Sequence, residues 1–205
     1  MSDEKQIYVD LDDVLSETGR AFVAVLERDF GRTVDFEDME SFDLGASFNL
    51  SHKELAAFFV AAHRDEVLSG LDPMAGAVDV LNDWAMAGYE ISIVTGRPPS
   101  TEAASRRWLD RHQVPHHSLT FVDKYSRDIH PGAGVEEKTA PVSLETLAQR
   151  QFSFAVEDSM DMARFMAGTV GVEVSLIDRP WNRKSARVEG VSRCVNWQEV
   201  RALFP

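Results

Sequence analysis

The chain has 205 residues, enough for one sizeable core with a second, smaller subdomain. It is 44% hydrophobic and 27% charged, which excludes a disordered chain. Its 34 acidic residues against 21 basic give a formal charge of −13, which argues against polymeric nucleic acid and anionic membranes as partners.

One cysteine, Cys194, excludes an internal disulfide framework and fits a reducing compartment. No apolar stretch approaches the ~18 residues of a membrane span. The opening "MSDEKQ" is polar, without the apolar centre of a signal peptide. The expectation is a cytoplasmic protein.

In chain order, "QIYVD" (6–10) is a short apolar run of the kind found in buried parallel strands. Phe22, Val25, Leu26 and Phe30 then recur at helical spacing, with Gly31 as a stop. Residues 32–50 hold Phe36, Phe42 and Phe48 without a sustained period and read as an irregular aromatic segment. Ser51 with Glu54 forms a capping-box pattern opening the helix "HKELAAFFVAAHRDEVL". Pro73 reads as the start of the next helix, which Gly88 ends. From there "YEISIVT", "SLTFVD", "FSFAVE" and "GVEVSLI" read as strands, separated by helical segments. Asn196 and Glu199 suggest a capped closing helix.

This alternation implies an α/β fold, a Rossmann-like parallel sheet of about five strands with helices on both faces. Residues 16–72 are too long for a loop and mostly helical, so they read as a cap. The core would comprise 1–15 and 73–205.

In an open parallel sheet, ligands bind beyond the carboxyl ends of the strands. Those ends supply Asp10, Asp12 and Asp13, then Thr95-Gly96-Arg97, then Asp123-Lys124, then Glu157-Asp158. Asp10, Asp12, Asp158 and Glu157 offer hard oxygen ligands suited to Mg²⁺ and would repel one another without it. Thr95 and the Gly96 N–H can hold phosphate oxygens, and a lysine adds a point cation. A metal-held carboxylate can attack phosphorus, and a second one two residues away can serve as acid and base.

"VDLDDVL", "IVTGRP", a lysine and "FAVEDS" resemble, in order, the four motifs of the haloacid dehalogenase superfamily. The resemblance implies that Asp10 is the phosphoryl-accepting nucleophile and Asp12 the general acid/base, with its backbone carbonyl on the metal. It implies that Thr95 binds phosphate and that Asp158, with Glu157, completes the Mg²⁺ site. Asp13 stands where many members carry glycine and receives no chemical role. Because dehalogenases lack the second carboxylate, Asp12 points to phosphate chemistry. The lysine is either Lys124, in a "VDK" strand ending, or Lys138, ahead of the helix preceding the fourth strand.

"SRRWLDRHQVP", "IDRPWNR" and "VNWQEV" further resemble the 5′(3′)-deoxyribonucleotidase branch. That likeness implies a nucleoside monophosphate substrate, with Phe22, Phe42 and Phe48 as candidate base-stacking residues and Arg97 as a candidate substrate contact. A sugar phosphate or other small metabolite is the alternative substrate, and a non-catalytic binding or regulatory module the alternative class. His112, His116 and His117 read as a surface cluster around a helix end. The basic run Arg179, Arg183, Lys184, Arg187 and Arg193 reads as a solvated loop, and "PGAG" (131–134) as a turn.

Overall fold

A computed structural model describes residues 5–41, 43–124 and 140–204. The first apolar run forms strand β1 (Gln6–Asp10), in which Ile7, Tyr8 and Val9 are fully buried. It pairs in parallel with β2 (Glu90–Thr95) on one side and β4 (Phe154–Glu157) on the other. Outside these lie β3 (Ser118–Phe121), β5 (Glu173–Ile177) and β6 (Val191–Cys194).

Among the described residues the sheet has six strands, in the order β3-β2-β1-β4-β5-β6. The expected count of about five missed β6. Its edge position leaves Ser192 and Arg193 exposed, so "VSRC" lacks the apolar run of an inner strand.

Alternation along β1 feeds two cores. Ile7 and Val9 face a cluster with Trp84 of α5 (Ala77–Met86), Trp108 of α6 (Glu102–Arg111) and Trp197 of α9 (Trp197–Leu203). Tyr8 faces the other way, toward Leu147 of α7 (Leu144–Ala148) and Met162 of α8 (Met160–Phe165). Helices therefore cover both faces. A π-helical turn, Met166–Val170, continues α8 and ends at Gly171, whose φ is 81°.

Between β1 and α5 lie α1 (Thr18–Phe30), α2 (Leu44–Ser47), α3 (His52–Ala62) and α4 (Asp65–Leu68). Gly31 stops α1 with φ 63°, as its position suggests. The Ser51–Glu54 capping box is formed in full. At the closing helix, Asn196 caps Glu199 N, while the Glu199 carboxylate reaches one residue further back, to Val195 N. The aromatic segment takes a 3-10 turn at Phe36–Asp38 before α2.

Pro73 does not begin α5. It bridges antiparallel to Ser16, Met74 N donates to Leu15 O, and Glu17 N donates to Asp72 O. This pairing holds the chain extended there, and the helix begins at Ala77.

Val25, Leu26, Phe36, Phe48 and Phe58 pool into a third apolar cluster belonging to α1–α3 and the chain between them. Phe58 is its centre, fully buried, with ring contacts to Phe22, Phe30, Phe48 and Phe59 at 5.2–5.8 Å. Phe58→Ala removes the shared partner of four rings, so it should cost about 3–5 kcal/mol, read as a lower urea midpoint.

Candidate active site

The order of the strands reverses direction between β1 and β4, which is where parallel sheets open a crevice. Val9 pairs with Val156, so Asp10 and Glu157 lie side by side at that opening. Lys124 follows β3. Val122 pairs with Val142 and Asp123 N donates to Val142 O, which turns the lysine inward over β2.

The Lys124 ammonium is 2.7 Å from Asp10 Oδ1 and 2.5 Å from Glu157 Oε1, and its side chain is 1% exposed. Tyr8 OH donates to the same Glu157 oxygen at 2.8 Å. Glu157 Oε2 accepts the N–H groups of Asp158 and Ser159, both at 2.8 Å. Each Glu157 oxygen thus carries two hydrogen bonds, the full capacity of a carboxylate.

Asp10, Glu157 and Asp158 are all buried and bring one oxygen each within 4.8 Å of one another. Three carboxylates against one ammonium leave a charge of −2. Burial pushes the carboxyls of both Asp10 and Asp158 well above the usual carboxylate range. Lys124 opposes the rise at Asp10, and Glu157 adds to it at both. A hard divalent cation fits this surplus of buried anionic oxygen.

Asp12 is handled differently. Its side chain is 26% exposed, and Arg97 grips it through Nε and Nη2, at 2.9 and 2.6 Å from Oδ1. Thr18 donates to the same oxygen at 2.7 Å, and Thr95 to Oδ2 at 3.0 Å. Burial acts to raise its pKa, but Arg97 and these donors outweigh it and hold the carboxyl below its usual value. The Arg97 N–H in turn donates to Thr95 Oγ1, and its Nη1 to Ser105.

Asp13 has φ 58°, a left-handed conformation that glycine takes without strain. Here both its carboxylate oxygens accept the Gly19 N–H, at 3.0 Å. Burial pushes its carboxyl up to about 7, against Arg179 and the Gly19 N–H.

Above this polar floor lies a cavity of about 170 Å³. Its roof is Phe22, Met39, Leu44, Phe59, His63 and Trp181, and Gly96 and Arg97 sit at its wall. Phe22 is therefore among the residues that line the cavity. Phe48 is not, because it is 1% exposed inside the α1–α3 cluster against Phe58. Phe42 and Lys138, and "PGAG" (131–134), lie outside the described residues. Phe59 and His63 were missed, although His63 caps α3 four residues after Phe59, which puts both on one side of the helix. Their rings stack at 5.6 Å and 19°. Trp181, from the loop after β5, donates from Nε1 to Asp158 Oδ2 at 2.9 Å.

The histidines near α6 stay outside this site. His117 Nδ1 accepts Ile91 N, His116 lies against Val114 O, and His112 packs on Trp108.

Comparison with known proteins agrees with this geometry. The family model described as "5' nucleotidase, deoxy (Pyrimidine), cytosolic type C protein" matches residues 4–130, well over half of the chain. The chain belongs to this family. It is a haloacid dehalogenase superfamily phosphatase of the nucleotidase branch.

The nucleotidase-family match spans Asp10, Asp12, Thr95 and Lys124. A Halalkalibacterium halodurans protein named "Putative nucleotidase BH1399" is 23% identical over 97% of this chain and 92% of its own. Two solved structures share the fold. One is a haloacid dehalogenase-like hydrolase from Streptococcus pneumoniae, with TM-score 0.65 and 15% identity over 100% of both chains. The other is CbbY from Rhodobacter sphaeroides, solved with phosphate, with TM-score 0.60 and 17% identity over 96% of both.

A methyl group on Gly19 would lie 2.9 Å from the Phe36 ring and 3.2 Å from both Trp181 and Asp13 Oδ1. Gly19→Ala should therefore destabilise the protein by about 1–3 kcal/mol, measured by urea unfolding.

Proposed function

We propose that the protein is a Mg²⁺-dependent hydrolase of nucleoside monophosphates that works through an aspartyl-phosphate on Asp10. The observation that carries this reading is the buried Lys124 bridge between Asp10 and Glu157, with Asp158 beside it. Asp10 and Asp158 are the side chains best disposed to hold the cation, together with the Asp12 backbone carbonyl. Glu157 belongs to Lys124, since its lone pairs are already engaged. When bound, Mg²⁺ neutralises charge on the phosphoryl oxygens and on the attacking carboxylate.

Substrate phosphate sits among Thr95, the Gly96 N–H, Arg97 and Lys124. Asp10 attacks phosphorus, the P–O bond to the leaving group breaks, and the ester oxygen takes a proton from Asp12. Asp12 then removes a proton from the water that cleaves the acyl phosphate. Arg97 suits Asp12 for the second role by keeping it ionised. A bound phosphate supplies negative charge beside Asp12 and competes for Arg97, which raises its proton affinity for the first role.

The nucleoside end faces the aromatic roof, where Phe22, Phe59 and His63 offer rings to a base. The family match and the name of the Halalkalibacterium relative support a nucleotide. Residues 16–72 act as the cap over a core of 1–15 and 73–205, a division supported by the separate apolar cluster of α1–α3. We place the protein in the cytoplasm, as the composition suggests. Among the described residues no helix is long and apolar enough to cross a membrane.

Phosphate release should vanish on chelation and return with Mg²⁺, and Asp10→Asn should abolish it while leaving the circular dichroism spectrum unchanged. Asp12→Asn should lose about 10²–10⁴-fold in rate. A phosphate-release screen across nucleoside monophosphates and sugar phosphates tests the substrate. Preference for a sugar phosphate would overturn the nucleotide assignment and leave the phosphatase standing.

A further inference from the structure

We propose that Trp181 is a positioning residue for the cation site: its indole N–H fixes Asp158 and ties that carboxylate to the cap. The inference rests on the Mg²⁺ reading above. Trp181 Nε1 donates to Asp158 Oδ2 at 2.9 Å. The indole nitrogen is a donor only, with no lone pair to compete for a cation. It therefore fixes the carboxylate through Oδ2 without adding a ligand of its own.

The seat of this indole is fixed to the sheet. Asn182 Nδ2 donates to Asp158 O and to Ile177 O, both at 2.8 Å, and Arg193 Nη2 donates to Asn182 O at 2.7 Å. The far side of the ring belongs to the cap. It meets Phe36 edge-on at 5.7 Å and 80°, and closes on the bare Cα of Gly19. Beside it Arg183 pairs with Glu37 at 2.6 Å and Lys184 with Glu40 at 2.5 Å. One side chain thus touches a cation ligand, the roof of the cavity and the aromatic edge of α1's neighbourhood. A purely packing tryptophan would need only the last of these.

The test is titration calorimetry of Mg²⁺ into the metal-stripped full-length protein, for wild type, Trp181→Phe and Trp181→His. Phenylalanine keeps an aromatic ring and loses the donor. Histidine loses ring area but carries an N–H at the place of the indole nitrogen on a five-membered ring. Trp181→Phe should weaken Mg²⁺ binding about tenfold, whereas Trp181→His should stay within about threefold of wild type. Equal affinity in wild type and Trp181→Phe, or a greater loss in Trp181→His than in Trp181→Phe, would overturn the inference and leave the Mg²⁺ reading intact. Absence of Mg²⁺ binding by wild type would overturn both.

A wild-type measurement keeps the question decidable if a variant does not fold. The chain has four tryptophans, and the indole N–H groups of Trp84, Trp108 and Trp197 go to backbone carbonyls instead. Adding Mg²⁺ should shift one indole resonance in the ¹⁵N spectrum well beyond the rest. Four unmoved resonances would overturn the inference.

Discussion

The site depends on a single buried ammonium. Asp10 and Glu157 lie at the ends of neighbouring strands, and leaving them face to face in the interior without a cation would be costly. Lys124 meets both, yet it follows β3, which is two strands away from β1. Two strand spacings amount to about 9–10 Å, more than a lysine stem covers alone, so the turn of the chain after β3 supplies part of the distance. Together they let the nitrogen clear the end of β2 and approach Glu157 from above. Three strand ends are thereby locked to one point charge; Tyr8 shares the Glu157 oxygen that Lys124 binds, and two backbone N–H groups hold the other.

The strands and their polar endings were legible because a buried parallel strand writes its period and its termination locally. The apolar runs at 6–10, 90–95 and 154–157 end in Asp10, Thr95 and Glu157, polar residues that are costly to bury without partners. β6 was not legible, since an edge strand needs only one apolar face. The start of α5 was misread because a proline opening a helix looks the same as a proline paired across to Ser16. Local sequence carries no record of such a partner 57 residues away.

Partnerships across the chain were hidden for the same reason. The basic run 179–193 reads as a solvated loop, but Arg193 lies in β6 and the run opens on a 3-10 turn with Pro180 and Asn182 buried. In space its members meet groups far off in sequence: Arg183 pairs with the Glu37 carboxylate, Lys184 with that of Glu40, and Arg179 donates to the backbone carbonyl of Asp13. The role of Arg97 beside Asp12 was equally invisible, because an arginine after a phosphate-binding threonine reads as a substrate contact. In the structure Arg97 grips Asp12 through two nitrogens and holds its carboxyl below the usual value. The roof of the cavity was half legible. Phe59 and His63 share a helix face, but which face looks down on Asp10 is decided by tertiary packing.

The two points where the chain leaves and rejoins the sheet layer are neighbours, joined by the Ser16–Pro73 bridge and by the hydrogen bonds from Glu17 to Asp72 and from Met74 to Leu15. Everything from one to the other leaves and returns through a doorway one strand-pair wide, and touches the rest of the chain further along through Phe36, Glu37 and Glu40. Swapping that whole excursion for another of different length or shape leaves the connectivity of the sheet untouched. The side chains that close the cavity from above can thus change while the polar strand ends below keep their places.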